Sequence, residues 1–389
     1  MKIAVIRGRN MTRFEMQGYE PLTAKHTVTG YASKANNYDL SGLHFPVKRL
    51  RSIEECYGFL PGPGRSLVHG MLLPFGANAR MLGLDAELKK EDIYHSVETF
   101  NGFSYQAARC RERYGKRLVL TIWENIPFAS VRNFKGLTNN EAAIRYVIEH
   151  TDAFIAITER ARDALVIEGA PEDRIHVIPA GIDLSRFRPA TSDPVVSASL
   201  GMEDGDFTVL FVGRMTREKG IYPLLYAAKL AMLDKDLRQV RFVMAGEGPE
   251  TQAVLTLIDR LGLKDMVKVV GGISYDRMPE IYNAVDAFVL PSIPRPGWQE
   301  QFGMVLIEAM ASGLPVISTL SGSIPEVVGD GGALVQSDDP RALYLEIKKL
   351  ALDDAYRKKL SSQGRERVLR EFDIRRTSKM MEAVYEKVA

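Results

Sequence analysis

Short apolar runs rich in β-branched residues alternate along the chain with longer segments whose apolar residues recur at helical spacing. The apolar runs lie at Lys2–Arg7, His26–Tyr31, Ile93–Val97, Leu118–Trp123, Ala153–Thr158, His176–Pro179, Thr208–Gly213, Val240–Ala245, Val267–Val270, Ala287–Leu290, Pro315–Ser318 and Ala333–Gln336. Such an alternation is typical of parallel strands joined by crossover helices. Because so many strands exceed a single sheet of ordinary size, the pattern predicts an α/β fold with two doubly wound domains.

A segment rich in turn-forming residues, Pro189–Asp206, interrupts this alternation and shows no sustained period. Because a new apolar run follows it, we place the domain boundary here, with an N-terminal domain at residues 1–189 and a C-terminal domain at 190–373. The chain ends in three helical patterns. The last of them, within residues 374–389, is long enough to reach back to the N-terminal domain.

The composition is that of a folded protein, with 46% hydrophobic and 26% charged residues among 389. The net charge of +2 is too balanced to indicate nucleic-acid binding. Two cysteines allow no disulfide framework, and no Cys or His spacing predicts a zinc site. The N-terminus lacks the apolar core of a signal peptide, and the most apolar stretch, Phe302–Leu320, is broken by a glutamate, a glycine and a proline. We therefore expect a cytoplasmic enzyme.

Basic residues are in excess in the first half of the chain. Residues 1–190 hold 26 Lys and Arg against 21 Asp and Glu, whereas residues 191–389 hold 25 against 28. The excess clusters at Lys48–Arg51 and at Arg109–Arg117. Two interpretations stay open: a solvated surface, or attraction to an anionic partner such as the cytoplasmic face of a membrane or a phospholipid-linked substrate.

The most informative strand-to-helix turn is Pro291–Ala311, PSIPRPGWQEQFGMVLIEAMA. Parallel sheets bind ligands beyond the carboxyl ends of their strands, so residues in such turns are candidates for a site. The pattern places Phe302, Gly303 and Met304 in or just before the first turn of a helix. Free amides and the positive end of the helix dipole can hold a phosphate there.

Two carboxylates accompany these amides. Glu300 lies just before the predicted helix, and Glu308 lies within it among apolar neighbours. An ionised carboxylate can accept hydrogen bonds from two adjacent sugar hydroxyls. Glu300 could instead be only an acid that favours the helix dipole. For Glu308, a plain surface charge is disfavoured because a carboxylate surrounded by apolar residues should be paired or functional.

A second turn, FVGRMTREKGI at Phe211–Ile221, carries cations to the same edge. Arg214 follows the strand directly, and Lys219 precedes the next helix. Alone these would be read as solvated charges, but beside the two glutamates they could neutralise a diphosphate leaving group. Two glycine-rich turns, Ala245–Pro249 and Gly271–Ser274, also fall at carboxyl strand ends. Neither a Walker sequence nor a G-x-G-x-x-G turn after the first strand is present, which argues against a phosphate-loop NTPase and a nicotinamide dehydrogenase.

The stretch Glu300–Ile317, with two glutamates separated by seven residues before ASGxPVI, resembles the signature of glycosyltransferase family 4. Phe211–Gly220 is similar to the donor-phosphate loop of that family, and VIPAGID at Val177–Asp183 resembles the turn that closes its first domain. YNAVDAFVLPS and SIPEVV follow in the usual order. The resemblance implies a GT-B fold, in which two Rossmann-like domains face each other across a cleft that holds the active site.

The resemblance also implies a retaining transfer of a hexose-type sugar from a nucleotide-diphosphate sugar, usually without a metal. It assigns Arg214 and Lys219 to the donor diphosphate and Glu300 to the transferred sugar. These three residues would be the catalytic ones. The remaining donor-binding residues would be Phe302, Gly303 and Met304 through their amides, Glu308 on the ribose and Ile273 against the base.

The N-terminal half departs from the family pattern. No Gly-Gly loop follows the first strand, and Trp123 stands where many members have a functional histidine in a T-x-H turn. Glu124 next to it and Glu98 at another strand end are candidate acceptor-side residues. Each could instead be a capping or surface acid. His95 is better explained as a packed histidine.

The leading hypothesis is therefore a glycosyltransferase whose acceptor is a glycan, a lipid-linked molecule or a small molecule, with a role in the cell envelope. A GT-B sugar-nucleotide epimerase would bind the same donor without an acceptor. A non-catalytic nucleotide-sugar binding protein would not need both glutamates together with both cations.

Overall fold

The structure, a computed structural model, describes residues 1–72, 79–129, 141–203 and 205–389. The chain divides into two compact units, which we call unit 1 (Met1–Gly181 with Ile374–Ala389) and unit 2 (Ile182–Asp373). Each unit holds one parallel sheet with helices between its strands. The predicted α/β class with two doubly wound domains is confirmed.

Unit 1 contains a seven-stranded sheet in the order β3-β2-β1-β4-β5-β6-β7. Its strands are β1 Lys2–Gly8, β2 Thr27–Ser33, β3 Val47–Leu50, β4 Ile93–Val97, β5 Arg117–Ile122, β6 Ala153–Ala156 and β7 Ile175–Val177. Its helices before unit 2 are α1 Arg13–Met16, α2 Ile53–Tyr57, α3 Gly62–Leu72, α4 Leu84–Leu88, α5 Gly102–Tyr114, α6 Glu141–Glu149 and α7 Glu159–Ile167. Short 3₁₀ segments occupy Gln17–Ala24 and Glu172–Arg174.

Both faces of the unit 1 sheet are buried, as a parallel sheet requires. Successive residues of β1 point to opposite faces, so Ala4 and Ile6 enter one apolar cluster while Ile3 and Val5 enter the other. All four are fully buried. The apolar run of β1 therefore needs no alternation with polar residues.

Unit 2 contains a six-stranded sheet in the order β10-β9-β8-β11-β12-β13. Its strands are β8 Phe207–Val212, β9 Val240–Ala245, β10 Val267–Val270, β11 Ala287–Leu290, β12 Val316–Thr319 and β13 Ala333–Val335. Its helices are α8 Pro194–Ser199, α9 Ile221–Leu233, α10 Thr251–Leu261, α11 Met278–Asn283, α12 Met304–Ala311, α13 Ile324–Val328, α14 Pro340–Leu352 and α15 Asp354–Glu371. Short 3₁₀ segments occupy Arg217–Lys219, Lys235–Leu237 and Tyr275–Arg277.

Strand order reverses at the centre of each sheet, between β1 and β4 in unit 1 and between β8 and β11 in unit 2. The loops after these strands diverge to opposite sides, which leaves a crevice at the carboxyl edge where ligands bind. Loops after β8 and β11 carry the cations and glutamates singled out in the sequence.

The last helix, α16 (Ile374–Val388), belongs to unit 1. Its Val384 and Tyr385 are buried in the same cluster as Ile3 and Val5. The Ser378 hydroxyl donates to the Gly18 carbonyl at 2.7 Å. The end of the chain thus completes the core of the domain in which the chain begins.

Two elements were not predicted. Strand β3 is an edge strand, and its two cations, Lys48 and Arg49, hid the apolar pattern. Helix α8, Pro194–Ser199, lies inside the segment read as a linker, where Asp193 caps it by accepting from the Val195 amide at 2.8 Å. In the described part of the chain, every helix is too short or too polar to cross a membrane.

Candidate active site

The loop after β8 brings Lys219 to the carboxyl edge of the unit 2 sheet. Thr216 precedes a 3₁₀ turn, Arg217–Lys219, which ends at Gly220 in the left-handed conformation with φ of 71°. A Cβ at Gly220 would lie 1.8 Å from the Pro291 carbonyl oxygen, so only glycine allows this loop to approach the loop after β11 so closely. Lys219 is thereby held next to that loop.

The loop after β11 provides the partner of Lys219. The Nζ of Lys219 lies 2.7 Å from Oε2 of Glu300, and the Ser292 hydroxyl donates to the same oxygen at 2.7 Å. The Lys219 ammonium also lies 5.1 Å from the centre of the Trp298 ring, a cation–π contact. Glu300 is only 6% exposed. Two predicted residues therefore form a largely desolvated ion pair, in which charge interactions are stronger than in bulk water.

Helix α12 begins directly after this pair. Gly303 is its N-cap with φ of 84°, Phe302 before it is buried, and Met304 is its first residue. Because the N-cap is a glycine, it has no side chain that could accept a hydrogen bond from the first amides of the helix. A third loop, which follows β12, approaches the backbone of Glu300 closely at Gly322. In this loop the Ser323 amide donates to the Glu300 carbonyl at 2.9 Å. Phe302, Gly303 and Met304 lie where the sequence predicted them.

Glu308 lies in the second turn of α12 and is 3% exposed. Its Oε2 accepts a hydrogen bond from the Tyr282 hydroxyl at 2.8 Å, and the Tyr275 hydroxyl also hydrogen-bonds to the carboxyl group. Burial raises the pKa of Glu308 to about 7, although both hydroxyls and the Arg186 guanidinium favour its ionised form. A surface role for this glutamate is excluded.

Arg214 and Ile273 lie on the rim of this edge. The Arg214 side chain is 72% exposed and lies 3.5 Å from Glu218, one turn further along the same loop. Ile273 follows β10 in a loop that Glu247 holds, because Oε1 of Glu247 accepts the Gly272 amide at 3.3 Å. The structure therefore brings Lys219, Glu300 and the start of α12 together, whereas Arg214 points to solvent and pairs elsewhere.

The two acceptor-side candidates lie together at the carboxyl edge of the unit 1 sheet. Glu98 follows β4 with φ of 59°, and its Oε1 accepts the amides of Trp123 at 2.9 Å and Glu124 at 3.2 Å. Glu124 accepts the next two amides, those of Asn125 and Ile126, each at 3.0 Å. Burial raises the pKa of Glu98 to about 8. Both carboxylates thus order the loop after β5.

A third carboxylate near these two, Glu168, was missed in the sequence. It accepts the Phe128 amide at 2.9 Å, and burial raises its pKa, with the Glu124 charge adding to the rise. Glu168 follows helix α7, far from the other two along the chain. No local motif marks it, because tertiary packing alone brings it to the loop.

His95 is fully buried in β4, as expected for a packed histidine. Its Nε2 lies 2.7 Å from the Thr121 hydroxyl, and its Nδ1 hydrogen-bonds to the Tyr385 hydroxyl of α16. Burial and the nearby Arg7 charge hold the pKa of His95 well below its usual range, so the ring is neutral.

Comparison with protein families gives a match for each half of the chain. Residues 194–367 match the family described as Glycosyl transferases group 1, and residues 45–186 match Glycosyltransferase Family 4. The protein belongs to the family 4-like glycosyltransferases with a GT-B fold. The recognition based on Phe211–Gly220 and Glu300–Ile317 is confirmed, and with it the α/β class.

Curated relatives of this glycosyltransferase include two kinds of enzyme. D-inositol 3-phosphate glycosyltransferase 1 of Catenulispora acidiphila is 35% identical over 222 residues, 54% of this chain and 51% of that protein. The match thus spans about half the length of that relative. Alpha-maltose-1-phosphate synthase of Mycolicibacterium smegmatis is 29% identical over 386 residues, 90% of this chain and 96% of that protein.

Solved structures share the fold over the whole glycosyltransferase chain. Alr3699/HepE of Anabaena in complex with UDP and glucose gives a TM-score of 0.76 at 20% identity, with 100% of both chains covered. Sucrose-phosphate synthase from Thermosynechococcus elongatus gives 0.77 at 22% identity, covering 100% of this chain and 99% of that one. These likenesses establish the fold.

Several side chains that complete the donor-side geometry carry no sequence signal of their own. Tyr275 hydrogen-bonds to Glu308 and the Arg186 charge acts on it from other segments of the chain, whereas Ser292 and Trp298 lie in the turn that contains Glu300 and are distinguished only by their contacts with Glu300 and Lys219. Tyr282 and Ser292 are the first and last residues of the YNAVDAFVLPS stretch, so the sequence marks the segment but not the contacts of these two side chains. Within the described residues, no group of three His, Cys, Asp or Glu side chains could hold a metal ion.

Proposed function

We propose that this glycosyltransferase moves a hexose-type sugar from a nucleotide-diphosphate sugar to an acceptor hydroxyl, with retention at the anomeric carbon and without a metal. The observation that carries the proposal is the Lys219–Glu300 ion pair beside the start of α12, whose N-cap is Gly303. A cation, a carboxylate and the amides at the start of a helix match the diphosphate and the hydroxyls of such a donor.

Each donor-side residue then has a role. Lys219 would contact the diphosphate, and the exposed Arg214 could exchange its ion pair with Glu218 for a phosphate oxygen. Glu300 would hold hydroxyls of the transferred sugar. The amides of Phe302, Gly303 and Met304 would bind phosphate or sugar oxygens. Glu308 would hold the ribose hydroxyls, with the backbone at Ile273 against the base.

The chemistry follows from where charge develops. As the bond from the anomeric carbon to the diphosphate breaks, negative charge grows on the leaving phosphate. The acceptor oxygen forms the new bond on the same face, and its proton passes to that phosphate. Lys219, Arg214 and the α12 amides stabilise the growing charge, and removing one such contact typically costs 100- to 1000-fold in rate.

On the acceptor side, Glu98 and Glu124 order the loop after β5 and would place it against the acceptor. The acceptor would be a glycan, a lipid-linked molecule or a small polyol, used in making cell-envelope or lipid-linked glycans in the cytoplasm. The basic cluster at Arg109–Arg117 gives limited support to contact with an anionic membrane. Arg111, Lys116 and Arg117 each lie within 4.0 Å of a carboxylate of this chain.

The test measures transfer by wild type and variants with UDP-, GDP- and ADP-glucose as donors, in EDTA. The acceptor panel includes D-inositol 3-phosphate and other phosphorylated polyols. Glu300→Gln and Lys219→Ala should each lower kcat about 100-fold or more. Arg217→Ala is the matched control, because Arg217 lies in the same loop but pairs with Glu250 at 3.1 Å on the surface. It should keep turnover within about twofold.

Full activity of both site variants would contradict the assignment of this edge as the donor site. A product with inverted anomeric configuration would refute retention, and strict loss of transfer in EDTA would refute the metal-free reaction. Release of free sugar or an epimer, with no acceptor product, would favour the epimerase alternative.

A further inference from the structure

The carboxyl group of Glu308 depends on other elements for all its polar contacts. It is 3% exposed, and its helix neighbours Leu306, Ile307 and Ala309 are buried and apolar. A buried carboxylate in such surroundings needs hydrogen bonds from outside its own helix to stay ionised. If Glu308 is to accept hydrogen bonds from a ribose, those outside groups decide whether it can.

Tyr282 on α11 is the first of these groups. Its ring is fully buried, packed against Phe288 and Phe187 with ring centres 5.8 and 6.1 Å apart, so the hydroxyl has a fixed position. That hydroxyl donates to Oε2 of Glu308 at 2.8 Å. Burial and the Glu308 charge hold the pKa of Tyr282 well above its usual range, so it remains a donor.

Tyr275 and Arg186 form a second line of contacts. The Tyr275 hydroxyl hydrogen-bonds to Glu308, while the Arg186 guanidinium lies 4.9 Å from the centre of the Tyr275 ring. Arg186 also donates to the Tyr275 carbonyl and to Asp276, both at 3.2 Å. Arg186 thus fixes Tyr275 by its ring and its backbone, and brings a positive charge toward Glu308.

We propose that Tyr282, Tyr275 and Arg186 are positioning residues that orient the Glu308 carboxylate and keep it ionised for the ribose of the donor. They act on donor affinity through Glu308 and need not touch the donor. The inference rests on the proposed function, because it takes Glu308 as the ribose ligand. It extends that function by assigning donor affinity to three residues outside the two-glutamate motif.

The charges around Glu308 give this proposal a pH signature. Among the described residues, the groups that act on its carboxyl are Tyr282, Tyr275 and Arg186, and all three favour the ionised form against the effect of burial. Helix α15, packed on the other side of α12, contributes Arg365, which instead donates to the carbonyls of Ala311 and Phe187. The pKa of Glu308 is about 7, so donor affinity should weaken as pH falls below 7. Removing one stabilising hydroxyl should move that midpoint upward.

The experiment titrates UDP, GDP and ADP into wild-type protein by calorimetry from pH 6 to pH 9, and uses whichever binds as the probe. For Tyr282→Phe we expect about tenfold weaker binding than wild type at pH 6 and equal binding at pH 9, a midpoint shift of about one pH unit. Ionisation of the probe's phosphates cancels in this ratio. Tyr275→Phe should shift the midpoint the same way, and it carries the test if Tyr282→Phe fails to fold.

Two further variants serve as controls for this pH dependence. In Glu308→Gln, the affinity for the probe should change between pH 6 and pH 9 only as much as ionisation of the probe itself requires. Tyr344→Phe is the matched control, because Tyr344 donates to Asp234 at 2.6 Å elsewhere in unit 2, and it should match wild type at each pH. Equal weakening of both tyrosine variants at pH 6 and pH 9 would overturn their role in keeping Glu308 ionised, and unchanged binding at both pH values would overturn the positioning role altogether, while either result leaves the donor site intact. Absence of binding by wild type at every pH would overturn the proposed function and this inference together.

Discussion

At the scale of single residues, the candidate site combines a cation and a carboxylate that neutralise each other when no ligand is bound. Lys219 and Glu300 lie 2.7 Å apart, with side chains 18% and 9% exposed. A nucleotide-diphosphate sugar would replace this contact with a phosphate for Lys219 and hydroxyls for Glu300. The pair therefore holds both groups in place before the donor arrives, which reduces the reorganisation needed in the reaction.

Glu98 supports a residue-scale prediction about pH. Its folded-state pKa is about 8, whereas an unfolded glutamate titrates near 4.5, so the folded protein binds the extra proton between these values. The free energy of unfolding should therefore fall as pH rises from about 5 to 8, by a few kcal/mol. Glu98→Gln keeps an oxygen for the Trp123 and Glu124 amides and should flatten this decline.

Thermal unfolding midpoints at pH 5 and pH 8 check the prediction. Glu250→Gln is the control, because Glu250 pairs with Arg217 at the surface of unit 2 and its variant should keep the wild-type pH dependence. An unchanged decline in Glu98→Gln would show that Glu98 is not the group responsible.

The sequence alone predicted that Lys219 and Glu300 lie at the same edge, for a geometric reason. Carboxyl ends of parallel strands meet at one edge, so the turns after β8 and β11 had to bring Lys219 and Glu300 to the same side. Contacts made by rings and hydroxyls from other elements, such as those of Trp298 with Lys219 and of Tyr275 with Glu308, depend on packing that no local pattern encodes. The roles of all these residues remain predictions.

At the scale of elements, the last helix joins the end of the chain to a polar network inside unit 1. The Tyr385 hydroxyl of α16 hydrogen-bonds to His95, which also contacts Thr121, while Glu382 lies 3.0 Å from His26 and 3.2 Å from Lys25. These contacts complement the burial of Val384 and Tyr385. Helix α16 is therefore a structural part of unit 1.

Tyr385→Phe tests the polar part of this attachment. The ring stays buried, but Nδ1 of His95 loses its tyrosine partner inside the core, which should cost about 1–3 kcal/mol in the free energy of unfolding. Urea unfolding of the full chain measures the loss. Tyr38→Phe should have no measurable effect, because the Tyr38 side chain is 53% exposed. Equal stability of the two variants would mean that the network adds nothing to the packing of α16.

Element positions were largely predictable, and the exceptions have physical causes. Each predicted apolar run lies on a strand whose ends differ from the prediction by at most two residues, because buried parallel strands are nearly continuous apolar runs. Strand β3 was not predicted, because an edge strand can carry cations such as Lys48 and Arg49. Helix α8 was not predicted, because six residues are too few to show a helical period.

At the scale of the whole molecule, the central proposal is that unit 2 binds a nucleotide-diphosphate sugar at the edge formed by the loops after β8 and β11. The family assignment rests on matches to both halves of the chain, and it supports the proposed transfer of a sugar. Identity of the donor base and the sugar then depends on this edge, because Ile273, Glu308 and Lys219 all lie in unit 2.

The most direct test is calorimetric titration of UDP, GDP, ADP and their glucose conjugates into the full chain at pH 8 in EDTA. A donor site at this edge predicts one-site binding of one nucleotide series, weakened at least tenfold by Lys219→Ala and unchanged by Arg217→Ala. Binding that Lys219→Ala leaves intact, or that appears only when a divalent metal is added, would contradict it.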